Sequence, residues 1–191
     1  NLFAHRVGRW QRGGRLVPAN GLGHLESLGE QMNERRIDVV DTRPELVEDA
    51  LLCNTFGDQL KLKDSISKVF GVSIKDRGAI LSTGALSDGA YWLNSESQWI
   101  TSSFYRKNIP EWMVDFHENH PISSYLKGKW EGKTFSYDLH KKYLELGPSY
   151  IKSVPMGNDY TFDFIKELFV NEKLGQDNHT DFLVLAFSST D

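Results

Sequence analysis

Apolar positions along the chain switch between helical and strand periods. From Pro44, residues Leu46, Val47, Ala50, Leu51 and then Leu60 recur at roughly helical spacing, with Asp and Glu between them. Thr55 suits an N-cap for Phe56 to Leu62, so this helix is expected to break near Asn54 and restart. Lys68 to Ile74 reads as a strand: Val69, Phe70, Val72 and Ile74 are apolar and partly β-branched. A short apolar run, Ala79 to Leu81, follows, and Gly84 to Gly89 marks a turn. Tyr91–Leu93 and Trp99–Thr101 read as two short strands joined by the polar Asn94–Gln98, which predicts a hairpin.

A second helical stretch opens at Asn108-Ile109-Pro110, where Asn suits the cap and Pro the first turn. Trp112, Met113 and Phe116 then share a face. Residues 120–150 are mixed, aromatic and loop-like. Thr161 to Leu174 is the cleanest helix, with Phe164 and Leu168, and Ile165 and Phe169, paired at four, and with Gly175 as its stop. Phe182 to Phe187 is a continuous apolar run of strand length, the pattern of a strand buried on both faces of a parallel sheet. Helices alternating with such strands predict an α/β fold, a sheet flanked by helices, with a small excursion around residues 84–150.

Residues 1–36 are poorly patterned. Arg6, Arg9, Arg12 and Arg15 alternate with Gly8, Gly13 and Gly14, which suits either a solvated leader or a local phosphate-binding patch. Residues 1–43 are left as an unassigned leader. Composition adds that the 191 residues are 39% hydrophobic and 25% charged, as in a globular domain rather than a disordered one. The net charge of −4 gives no basic footprint for a nucleic-acid polymer. No apolar run approaches the length of a membrane span. The single cysteine, Cys53, has no partner for an internal disulfide and reads as a small packing residue. The chain starts at Asn1 with no signal-peptide pattern and stops at Asp191 directly after a strand. The expectation is an internal fragment of a longer protein, truncated at both ends.

In open α/β sheets, ligands bind beyond the carboxyl ends of the strands. Two strand ends here carry unusual residues. The first is Lys75-Asp76-Arg77-Gly78. In extended chain, residues two apart share a side, so Lys75 and Arg77 would converge as a clamp for a tetrahedral anion. A plain charged strand-to-loop junction would look the same. The second is Ser188-Ser189-Thr190-Asp191, where Asp191 suits either a cation ligand or a cap for a following helix. His117 and His120 lie three apart and suit either a metal pair or a solvated helix end, with no third ligand evident. His140 and His179 are isolated. No Cys-pair metal site, phosphate loop or serine elbow occurs.

Taken together, the segment Ser67 to Ile80, with Lys75-Asp76-Arg77-Gly78 inside it, resembles a hallmark stretch of the alkaline phosphatase superfamily. The branch it resembles is the phosphate-irrepressible alkaline phosphatases, which look like nucleotide pyrophosphatase/phosphodiesterases. Thr55 to Leu62, Asp88 to Trp92, Trp99 to Tyr105 and Ile109 to Trp112 fit the same family in order. So do Gly157-Asn158 with Thr161, Glu172 to Gly175, and Thr180 to Asp191. The match covers about residues 45–191, looser between 121 and 150, so residues 44–191 read as a partial alkaline-phosphatase-like catalytic domain.

The resemblance implies a zinc-dependent phosphomonoesterase with two zinc ions and a phosphoryl-enzyme intermediate on a Thr or Ser. That nucleophile, and an Asn that contacts the phosphoryl group, would lie before Asn1. Asp191 would be a zinc ligand, and a His four residues later another. Lys75 and Arg77 would contact the phosphoryl oxygens. It also implies a small phosphate-ester substrate, export to the periplasm or medium, and an inactive isolated fragment; it implies no oligomeric state. A phosphodiesterase or nucleotide pyrophosphatase on the same scaffold, or a catalytically inactive binding relative, remain alternatives. Two fixed cations favour the monoester, because a diester has one charged oxygen fewer.

Overall fold

A computed structural model of the chain describes the backbone of residues 40–41 and residues 54–189. The expected helix across Leu46 to Leu51, Cys53, the arginine-glycine leader and Asp191 lie outside the described residues.

The order of elements is β1 (Val40–Asp41), α1 (Phe56–Lys63), β2 (Val69–Ser73), α2 (Asp76–Thr83), β3 (Gly89–Leu93) and β4 (Trp99–Ser102). Then come α3 (Glu111–Asn119), α4 (Ile122–Tyr125), β5 (Lys129–Glu131), β6 (Ser136–Asp138) and α5 (Leu139–Leu146). A 3-10 helix (Pro148–Ser153), α6 (Met156–Asn171) and β7 (Phe182–Ala186) complete it. The main sheet has the order β1-β4-β3-β2-β7. β2 pairs in parallel with both β3 and β7, while β3 and β4 form the expected antiparallel hairpin.

β2 is central, and all five of its residues are buried. Alternate residues of the sheet serve opposite faces. Phe70, Val72, Tyr91 and Trp99 meet Met113 and Phe116 of α3 and Phe164 and Leu168 of α6. Trp99 stacks on Phe164 with centroids 4.4 Å apart. On the other face Ala90, Trp92 and Ile100 meet Ala79 and Ile80 of α2. Gly71 lets α2 lie close on β2: a Cβ there would meet the Ala79 carbonyl oxygen and the Thr83 side chain. The predicted α/β layering is therefore present.

Several local expectations change. Thr55 does cap α1, in a reciprocal box with Asp58. In α3 the N-cap is Pro110 rather than Asn108. α6 starts at Met156, ahead of Thr161, whose hydroxyl donates inside the helix to the Gly157 carbonyl at 2.7 Å rather than capping it. The stretch expected as loop over 120–150 holds α4, the β5–β6 hairpin and α5. Its strands are three residues long and largely exposed, so no apolar run marks them. β7 is not buried on both faces. It is an edge strand of the described sheet, partly exposed throughout, with Leu185 at 39%.

Candidate functional site

The carboxyl ends of the three parallel strands open onto one cavity of about 650 Å³. Lys75 follows β2, Asn94 follows β3, and Ser188 lies two residues past β7. All three line the cavity, together with Arg77, Lys152 and Ser153. Ile74, Trp92, Leu93 and Ile100 give it an apolar wall.

Lys75 and Arg77 reach the cavity by a different route from the one the sequence suggested. Only Lys75 is extended (φ −102°, ψ 134°), and it is the N-cap of α2. Arg77 is the second residue of the helix, so the alternation of extended chain does not hold here. The chain turns at Lys75 because its N–H donates to Ser73 Oγ (3.2 Å), while its carbonyl accepts from Gly78 and Ala79 N–H (3.1 and 3.4 Å). The Arg77 N–H donates to Asp76 Oδ1 at 2.7 Å. Gly78 packs on Ser73 Oγ, where a Cβ would collide. Both cations sit at the N-terminal end of α2, where the helix dipole also favours an anion. Both side chains are exposed to the cavity.

Lys152 was not singled out from sequence. It sits in the short 3-10 helix, and its Nζ donates to the carbonyls of Asn94 (2.6 Å) and Leu93 (3.4 Å) at the end of β3. Burial pushes its ammonium pKa below the usual lysine value, against a smaller upward pull from Glu96. No linear pattern could have marked it, because its role depends on a distant strand end. The β3–β4 turn it touches is itself held: Asn94 Oδ1 accepts the Glu96 and Gln98 N–H groups, and Ser97 Oγ donates to the Pro148 carbonyl.

At β7, the Ser189 N–H donates to Asn158 Oδ1 at 3.4 Å. Gly157 makes room: a Cβ there would meet the Ile151 carbonyl and Ser189. This gives the Gly157-Asn158 pair a physical role in seating the turn after β7. Ser188 Oγ is buried with no hydrogen-bond partner among the described residues.

The histidines have other tasks. His117 Nε2 accepts the Trp99 N–H at 3.1 Å, and burial lowers its pKa to about 4. It is a neutral acceptor that ties α3 to β4. His120 Nδ1 lies 2.7 Å from the Tyr125 hydroxyl, which donates to Asp163. His179 pairs with Asp64 at 2.7 Å. Among the described residues no group of three or more His, Cys, Asp or Glu could hold a metal ion. The described residues therefore do not fit the implied zinc pair by themselves, and Asp191 lies outside them.

The sheet and its flanking helices form an α/β domain with Lys75, Asp76, Arg77 and Lys152 on one cavity at the carboxyl edge of the sheet. Comparison with known proteins makes this specific. The chain is 38% identical over 171 residues to a calcium-transporting ATPase of Myroides odoratus, with 74% of this chain and 31% of that protein covered. It is 35% identical over 168 residues to alkaline phosphatase PhoV of Synechococcus elongatus, covering 74% and 30%. With alkaline phosphatase PafA of Elizabethkingia meningoseptica it shares 34% over 170 residues, covering 74% and 31%. The crystal structure of wild-type PafA superposes with a TM-score of 0.62 at 28% identity, over 71% of this chain and 31% of that one. A PafA variant substituted at one Thr, one Asn, one Lys and one Arg gives 0.62 at 26% identity, over 71% and 32%. No protein-family model matches. The chain belongs to the alkaline phosphatase superfamily. It spans about a third of the length of the relatives it matches.

Proposed function

We propose that this chain forms the phosphoryl-contacting part of a phosphomonoesterase whose full-length protein has the extent of its alkaline phosphatase relatives. The observation that carries this reading is the meeting of Lys75 and Arg77 on one cavity at the carboxyl edge of the sheet. A lysine and an arginine two positions apart are among the residues replaced in the PafA variant, and Lys75 and Arg77 share that spacing. The name calcium-transporting ATPase, carried by one relative, also denotes hydrolysis at phosphorus.

In this reading Arg77 offers a planar fork and Lys75 a mobile point charge to the non-bridging oxygens. Fixed cations aimed at the transferring group stabilise its transition state without reorganising as charge develops. The Thr or Ser nucleophile and most ligands of a zinc pair would come from the rest of the full-length protein. Asp191 is proposed as one ligand. In the full-length protein, Asp191→Asn should lower bound zinc measured by mass spectrometry, and unchanged zinc content would reject that role. Export to the periplasm or medium is proposed from the resemblance. Among the described residues, no helix is long and apolar enough to cross a membrane.

The test is turnover of an aryl phosphate against a bis-aryl phosphate by the full-length protein. Faster monoester hydrolysis is expected. A diester preference would turn the reading to a phosphodiesterase, and no turnover of either to a binding relative. The 191-residue chain alone should turn over neither.

A further inference from the structure

We propose that Lys152 forms a second anion subsite in the same cavity, so that the site favours phosphate monoesters carrying an additional negative group such as a carboxylate. This rests on the phosphomonoesterase reading of the cavity. The cavity, about 650 Å³, is of a size that takes a whole small ligand rather than a lone phosphoryl group. Lys75 and Arg77 mark its β2 edge, and Lys152 stands over the end of β3. One substrate could therefore meet both edges.

The chemistry at Lys152 differs from that of the other half-buried lysines. Lys61 donates to two carbonyls and also pairs with Asp88 at 3.0 Å. Lys68 donates to the Lys173 carbonyl and pairs with Asp177 at 3.5 Å. Lys152 has its two carbonyls and no carboxylate partner among the described residues. An ammonium carries three donors, and here only two find acceptors, one of them at the long distance of 3.4 Å. A partly desolvated cation without a counter-ion is costly unless an anion joins it. Burial lowers the Lys152 pKa, and the pull from Glu96 is too small to offset it. Ser188 Oγ, buried and unpartnered on the same cavity, is a further donor for the bound group. The charged side chains around Lys152 are Glu96 on the hairpin turn and Lys75, Asp76 and Arg77 across the cavity.

The experiment compares 3-phosphoglycerate with glycerol 3-phosphate in the full-length protein and its Lys152→Met variant. The two esters share a phosphorylated primary alcohol and differ in one carboxylate. Lys152→Met should raise KM for phosphoglycerate about tenfold, the usual size for one lost charge contact, and change that for glycerol phosphate by less than about threefold. Lys152→Arg should keep most of the difference. Equal effects on both esters would overturn the subsite and leave Lys152 as a pin for the hairpin turn. A second measurement needs neither catalysis nor a folded variant. By calorimetry, the unmodified protein should bind 3-phosphonopropionate several-fold more tightly than propylphosphonate, and equal binding would overturn the proposal. Failure to hydrolyse either ester, with that binding difference intact, would sink the phosphatase reading and keep the subsite.

Discussion

The two ends of the parallel strands treat charge in opposite ways. At the amino ends of β2, β3 and β7 the charged groups are matched. Lys61 pairs with Asp88, whose carboxylate also accepts the Val69 N–H at 2.8 Å. Asp181 accepts from the Lys68 and Gly175 N–H groups at 2.8 and 2.7 Å. Arg106 pairs with Glu172 at 2.9 Å and donates to the Asp88 carbonyl. At the carboxyl ends, Lys152 has only carbonyl partners among the described residues, and Arg77 is exposed to the cavity. Matched charge locks strands together; charge left for a ligand costs stability and gives binding. In the proposed reading, one end of the sheet holds the fold and the other receives the substrate.

Substitutions at the two ends should therefore separate cleanly. The largest effect is expected at the receiving end. Arg77→Ala should lower monoester kcat/KM of the full-length protein by about 100-fold or more, the size seen when one transition-state donor is removed. Its unfolding midpoint in urea should hardly move, and a matching loss of stability would break the comparison. At the holding end, Asp88→Ala removes acceptors from Lys61 and Val69 together. It should cost about 2–3 kcal/mol in urea unfolding and leave KM near its original value.

A somewhat smaller effect comes from His117. Its folded pKa of about 4 lies below the 6.5 of an unperturbed imidazole. Between those values the unfolded chain takes up a proton that the folded one refuses. The contribution is thus fully present above pH 6.5 and is lost as pH falls toward 4. About 2 kcal/mol of stability should disappear across that window, allowing for the remaining solvent contact. His117→Gln, which keeps an acceptor for the Trp99 N–H, should flatten the acid limb in pH-dependent denaturation. The smallest expected effect sharpens the receiving end. Preference for phosphoglycerate over glycerol phosphate should fade on the alkaline side with a midpoint below that of an ordinary lysine, in the direction of the Lys152 shift.

Much of the framework could be read along the chain, because it rests on local patterns. The run Val69 to Ser73 is apolar enough to be a central strand, and Thr55 with Asp58 spells a capping box. The Asn94–Gln98 hairpin follows from two apolar runs with polar residues between them. What could not be read depends on tertiary placement. Lys75 and Arg77 share a cavity through a helix start, not through extended alternation. Lys152 joins them only because the 3-10 helix packs by the β3–β4 turn. The exposure of β7 depends on its place in the strand order, which its apolar composition does not reveal.

The central claim is that the β2 edge receives a phosphoryl group with all its charge. The most direct test is the ratio of aryl phosphate to bis-aryl phosphate turnover in the full-length protein, before and after Lys75→Ala with Arg77→Ala. The monoester rate should fall far more than the diester rate, collapsing the ratio by about 100-fold or more. Equal losses on the two esters would contradict the clamp and leave Lys75 and Arg77 as residues of the turn into α2.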